Sequence, residues 1–139
     1  MIQFIVGKKG KGKTKIILDM VNKEISDVSG NIVYLDKSTK HMYELNNKVR
    51  LIDVSEYGVL NADEFVGFIR GLVSQDHDLE QLYFDSFLKI SCLEGKDIVD
   101  TVKKLDSISD AYNFKIVASL SLDESEVPEE IKSKIVVSL

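Results

Sequence analysis

The residues with the clearest chemical potential are Gly7, Lys8, Lys9, Gly10, Lys11, Gly12, Lys13 and Thr14, which together read G-x-x-x-x-G-K-[ST]. Glycines at those places let a loop wrap closely, so that successive backbone N–H groups face one concave site at the positive end of a following helix. Such a site takes phosphate oxygens. The lysine of the pattern, Lys13, would reach the terminal phosphates of a bound polyphosphate, and the Thr14 hydroxyl would coordinate Mg2+. Chance alone produces a match in roughly 0.6% of chains of this composition. The ligand expected is therefore ATP or another nucleoside triphosphate with Mg2+; no N/T-K-x-D guanine signature is present to select GTP.

The charge of that segment stands against the charge of the chain. The 139 residues carry 18 basic and 23 acidic side chains, a net charge of −5, yet Lys8, Lys9, Lys11, Lys13 and Lys15 all fall within eight positions. An acidic overall field repels nucleic acid and anionic membrane, so the local positive charge points to a small polyphosphate instead. Only Lys13 belongs to the motif's mechanism. The other four are read as solvated lysines whose field, screened beyond about 8 Å, assists capture weakly; a direct phosphate role or a partner surface are the alternatives.

Composition excludes several other classes. No run approaches the roughly 18 apolar residues that span a bilayer, and MIQFIVG lacks the basic start of a signal peptide, so a cytoplasmic protein is expected. Cys92 has no disulfide partner and is read as a small buried or half-buried residue. His41 and His77, far apart in sequence, assemble no zinc-type ligand set at familiar spacing and are read as surface residues.

A phosphate loop needs a strand before it and a helix after it, and the pattern supplies both. Residues 2–6 (IQFIV) form an apolar run that ends at Gly7, and from about residue 13 to 26 Ile17, Val21 and Ile25 repeat at helical spacing. Similar buried-strand runs occur at 32–35, 82–84, 114–120 and 134–139, with helical patterns from Asn61 and over about 96–112 between them. Asn61 and Glu64 make a capping-box-like start. This alternation predicts one three-layer α/β domain over 1–139, a mostly parallel sheet with helices on both faces. Residues 40–54, with apolar-alternating arms around Asn46-Asn47, predict an antiparallel hairpin.

A Mg2+-nucleotide site also needs a carboxylate at a strand end. Asp36, Asp53 and Asp85 each close an apolar run. Asp85 is preferred, because LYFD follows a complete helical pattern and precedes Ser86; the competing reading of each is a turn-capping aspartate.

The runs IQFIVGKKGKGKTK, NIVYLD, QLYFDSFLKI, FKIVASLSLDE and KIVVSL together resemble the RecA-like core of P-loop ATPases, over almost the whole chain. Short stand-alone bacterial P-loop proteins, some labelled twitching-motility ATPases, are similar too. The resemblance implies a RecA-like strand order, with the loop-bearing strand central and FKIVASL inserted between it and the strand ending in Asp85. It implies Mg2+ held by Thr14 and Asp85, and a γ-phosphate sensor at Ser119 or Ser121. Lys8 resembles the extra lysine of partition-type ATPases, although Lys9 replaces a glycine of that pattern.

Hydrolysis in this class uses a water-orienting glutamate just beyond the second strand, where this chain reads Asp36-Lys37-Ser38; Glu44 lies farther on. Only two arginines occur, Arg50 and Arg70. Arg70 belongs to a helix apolar on nearly all faces, read as docking in the core, with a second subunit as the alternative. The expectation is an ATP-binding protein with weak or partner-dependent hydrolysis, where the partner is another protein or a second copy. A nucleotide-dependent switch working through residues 36–44 is the alternative. A small-molecule kinase, which needs an arginine-bearing lid, is disfavoured.

Overall fold

The computed structural model describes all 139 residues. Six strands, β1 (Ile2–Val6), β2 (Asn31–Asp36), β3 (Arg50–Asp53), β4 (Leu79–Phe84), β5 (Lys115–Leu120) and β6 (Ile135–Ser138), form one sheet in the order β3-β2-β4-β5-β1-β6. Every pairing is parallel. Four α-helices join them: α1 (Lys13–Glu24), α2 (Ala62–Gln75), the short α3 (Phe87–Ile90) and α4 (Val99–Tyr112).

Parallel strands covered on both faces must be apolar on both, and strand alternation then divides the sheet residues between two layers. Ile2, Phe4 and Val6 of β1 face the same way as Val33 and Leu35, Leu82 and Phe84, and Ile116, Ala118 and Leu120. They pack with Phe65, Ile69 and Leu72 of α2, Phe87 of α3 and Val102 and Leu105 of α4. The intervening residues Ile5, Ile32, Tyr34, Tyr83 and Val117 face Ile17, Leu18 and Val21 of α1. The result is a three-layer α/β/α fold with RecA-like strand order. As the resemblance implies, β5 lies between β4 and β1. The loop-bearing strand β1, however, is one place from the edge rather than central, because β6 alone lies beyond it.

Residues 40–54 do not form the expected hairpin. The first arm is a single 3-10 turn, Met42–Glu44, and the second is β3, which runs parallel to β2 with Asp36 opposite Asp53. Asn46 does make a turn, its side chain accepting from Lys48 N at 2.9 Å, but its own N–H is taken by the Asn22 side chain on α1. Leu45 and Val49 are buried in the α1 layer. Apolar alternation thus reflects a crossover segment that buries side chains under α1, a tertiary effect that local pattern does not encode.

The remaining expectations agree more closely. Asn61 caps α2, its carboxamide oxygen accepting from Glu64 N at 2.8 Å, while the Glu64 carboxylate returns to Leu60 N. Phe65, Val66, Ile69, Leu72 and Val73 of that helix are in the core. Pro128 precedes a 3-10 turn, Glu129–Lys134, that leads into β6. No helix is long and apolar enough to cross a membrane.

Candidate functional site

The glycine-lysine loop runs from the end of β1 into α1, so the strand-loop-helix setting is present. Gly10 and Gly12 hold φ at 82° and 92°, in the left-handed region that residues with a Cβ avoid. No side chain caps the N-terminus of α1, and its first turn holds no acidic residue. The positive end of the helix dipole is therefore left to face an anion.

Lys13 opens that helix with its side chain folded inward. It is buried, and its ammonium donates to the carbonyls of Gly7 at 2.6 Å and Lys8 at 3.0 Å. Burial lowers the pKa of this amine below the ordinary lysine value, and the nearby negative charge of Asp85 opposes that shift. Next to it, Thr14 Oγ1 donates to Asp85 Oδ1 at 3.3 Å.

Sheet register gathers the acids. Tyr34, Tyr83 and Val117 are cross-strand neighbours on β2, β4 and β5, and Ser119 is opposite Ile5 of β1. Two residues farther along each strand, on the same α1-facing side, come Asp36, Asp85 and Ser119. All three are buried at the C-terminal ends of their strands, where ligands of parallel α/β sheets collect.

Asp85 is the hub. Its Oδ1 accepts from Ser119 Oγ at 2.7 Å, from Ser86 N at 3.0 Å and from Thr14, while Oδ2 accepts from Tyr34 OH at 2.8 Å. Burial, followed by the charge and hydrogen bond of Asp85, raises the Tyr34 phenol far above its usual pKa, so it stays a donor. Ser86 adopts a left-handed backbone, φ 56°, held by its N–H bonding to both Asp85 Oδ1 and Ser119 Oγ. Asp36 differs: Lys37 N donates to its Oδ1 at 2.7 Å, but the buried Oδ2 has no partner. Burial, reinforced by the charge of Asp85, pushes its carboxyl pKa up to about 6.

Asp85, Ser86, Ser119, Lys13 and Thr14, but not Tyr34 or Asp36, line a cleft of about 800 Å3 whose wall also includes Lys9, Lys37, Lys40 and Lys89 and the acidic Glu94. That volume falls in the range of small-molecule sites. Ser121 lies on the wall, half-buried. Of the other sequence candidates, Lys8, Lys11 and Lys15 are exposed and do not line the cleft; Lys15 lies 3.9 Å from Asp19 on the same helix. Asp53 caps the turn after β3, accepting from Ser55 N and Oγ. Arg50 lies 3.7 Å from Asp76, and Arg70 lines a separate surface groove with α4, so neither arginine reaches the cleft.

His41 departs most from expectation. It is half-buried on the cleft wall, not a plain surface residue, and its Nδ1 lies 3.0 Å from Glu44 Oε1. It also joins Asp36 and Asp85 in a potential ligand set, which sequence spacing gave no reason to expect. Tyr34, Lys37, Lys40 and Lys89 are likewise outside the sequence candidates, and Ser86 enters there only as the residue after Asp85. Strand parity between Tyr34 and Asp36 was a usable signal for the first; nothing local marks the lysines.

Neither a protein-family model nor a curated protein sequence matches the chain. Among solved structures, the flagellar accessory protein FlaH from Methanocaldococcus jannaschii matches 95% of this chain with a TM-score of 0.62 and 12% identity. The chain spans 65% of that protein's length. Likeness at this identity is likeness of fold. The architecture matches 85 solved chains, and one so widely shared assigns no activity by itself.

Proposed function

We propose that residues 1–139 act as one nucleotide-binding unit that takes ATP with Mg2+ and hydrolyses it slowly or only with a partner. The observation that carries this reading is the conjunction at the start of α1. A buried lysine ammonium rests on loop carbonyls at an uncapped helix N-terminus, with a threonine hydroxyl and a buried aspartate 3.3 Å apart beside it. The donor set fits the group it would hold. Thr14 and Asp85 offer hard oxygen ligands of the kind Mg2+ prefers, directly or through water. Lys13 and the loop amides would bind phosphate oxygens, and Lys9, Lys37, Lys40 and Lys89 would make the cleft attractive to a polyanion. When bound, Mg2+ would neutralise phosphate charge. Ser119, bonded to Asp85, would report the γ-phosphate to β5.

A second reading, a switch without turnover, is favoured by the absence of any arginine from the cleft wall. Arginine is the usual group that stabilises charge in phosphoryl transfer. In that reading ATP would reshape a surface around residues 36–44 that a partner recognises, whereas in the first reading a protein partner or a second copy would supply the missing group. The acidic net charge and the lack of a membrane-crossing helix favour neither nucleic acid nor membrane as that partner and suit the cytoplasm.

Thermal unfolding with and without Mg-ATP tests binding. At ligand 100 times its dissociation constant the gain is about 2.7 kcal/mol, on the order of 10 °C. Lys13→Ala should abolish the shift; an unchanged shift in that variant, or none in the parent, overturns the reading. Single-turnover hydrolysis then separates the alternatives: turnover that Asp85→Asn removes while ATP still binds indicates an enzyme, and no turnover, with or without candidate partners, indicates the switch.

A further inference from the structure

Beside the cleft, behind the wall residue Lys37, the end of β2 adds a buried carboxylate, Asp36, to that of Asp85. Asp36, which ends β2, and Asp85, which directly follows the neighbouring β4, are both 2% exposed. None of the cleft lysines forms an ion pair with either of them: Lys13 bonds only carbonyls, and Lys9, Lys37, Lys40 and Lys89 make no salt bridge. Two buried carboxylates side by side, one with an oxygen that bonds nothing, call for a cation between them.

We propose that Asp36, His41 and Asp85 bind a divalent cation of their own, of the class that accepts imidazole and carboxylate together, such as Mn2+, Fe2+ or Zn2+. One ligand atom from each residue lies within 4.8 Å of the others. Ligands sharing one such cation sit roughly 3 to 4 Å apart, given metal–ligand bonds of about 2.1 Å, so a small rotation of the imidazole or the Asp36 carboxylate closes the set. Each residue has a free lone pair. Asp36 Oδ2 has no partner. Asp85 accepts three bonds through Oδ1 but only one, from Tyr34, through Oδ2, which leaves a second lone pair there. His41 has Glu44 Oε1 on Nδ1, the carboxylate–histidine arrangement that fixes the proton on one ring nitrogen and presents the other to a metal.

Imidazole is what separates this site from the nucleotide's Mg2+, which prefers oxygen ligands. The two sites share Asp85, with Thr14 on Oδ1 and Tyr34 on Oδ2. The cation site nevertheless does not depend on the nucleotide reading, since neither Lys13 nor Thr14 takes part in it.

Titration of the nucleotide-free full chain with MnCl2, followed by the loss of the free Mn2+ electron paramagnetic resonance signal, tests the proposal. One Mn2+ per chain is expected, with Mg2+ a weak competitor and Zn2+ a strong one. His41→Gln and Asp36→Asn should each weaken binding at least 10-fold, and Glu44→Gln, which acts only through the ring orientation, by about 10-fold. Lys13→Ala should leave Mn2+ binding intact while removing nucleotide binding, so the two readings fail independently. His41 and Glu44 lie on a half-exposed turn, and unchanged thermal unfolding in EDTA establishes that their variants fold. Absence of stoichiometric Mn2+ binding, or binding that survives both His41→Gln and Asp36→Asn, overturns the proposal.

Discussion

The two faces of the sheet differ in what they bury. The face under α2, α3 and α4 is apolar almost throughout, with Phe65, Phe84 and Phe87 meeting at ring-centroid distances of 5.3 to 6.2 Å. The face under α1 carries a smaller apolar cluster and, at the C-terminal ends of its strands, Asp36, Asp85 and Ser119. Moving along any of β2, β4 or β5, successive residues alternate between these two environments. A single sheet thereby keeps its stabilising burial and its buried charge one residue apart without mixing them. The cost of burying polar groups falls where donors were supplied for Asp85, and remains uncompensated at Asp36.

The sharpest way to break that division is to exchange the effects. Phe65→Ala, fully buried among aromatic rings, should lose about 3 to 5 kcal/mol of stability and leave the nucleotide affinity of the folded fraction unchanged. Lys13→Ala should do the reverse: affinity lost, stability within about 1 kcal/mol of the parent, because the side chain bonds only loop carbonyls. Urea unfolding paired with nucleotide titration on both variants measures the crossing. If Phe65→Ala weakens binding as strongly as Lys13→Ala does, the faces are coupled and the division is wrong.

The parts of the site legible in the sequence are those that local constraints determine. The loop declared itself, because G-x-x-x-x-G-K-[ST] is a local constraint on backbone and side chain that sequence preserves. Apolar runs marked five of the six strands, and strand parity with register then accounts for Asp36, Asp85 and Ser119 lying in one row. What was not readable depends on contacts between segments. β3 looked like a hairpin arm because alternation says which side chains are buried, not which strand is the neighbour. His41 looked like a surface residue because nothing within its own segment reveals that the turn after β2 folds back over two aspartates.

A smaller effect, of roughly 1 to 3 kcal/mol, tests the uncompensated charge on the α1 face. The Asp36 carboxyl, with a folded pKa of about 6, holds its proton more tightly than in the unfolded chain, where the value is about 3.9. Its contribution to stability is therefore full below pH 4 and is lost as pH rises through 6. Asp36→Asn does not titrate. In EDTA its urea midpoint should exceed that of the parent at pH 7.5 and approach it at pH 5. Equal differences at the two pH values would remove Asp36 from the list of strained charges.

The smallest effect concerns Ser86, where the site bends the backbone. A non-glycine residue at φ 56° and ψ 53° carries a steric cost of about 1 to 2 kcal/mol, and glycine would relieve it. Glycine also gains freedom in the unfolded chain, which takes back about 0.5 to 1 kcal/mol. Ser86→Gly should thus stabilise by less than about 1 kcal/mol. Cys92, at φ 60° in the loop after α3, offers the control from the other region. There the thiol lies 3.5 Å from the Val59 carbonyl, so Cys92→Gly gives up a contact as it relieves strain and should stabilise less. The N–H of residue 86, which holds Asp85 and Ser119 together, survives the exchange to glycine, so nucleotide affinity should not change. If affinity falls while stability rises, the Ser86 hydroxyl itself acts in the cleft it lines, and the strained backbone is there to aim it.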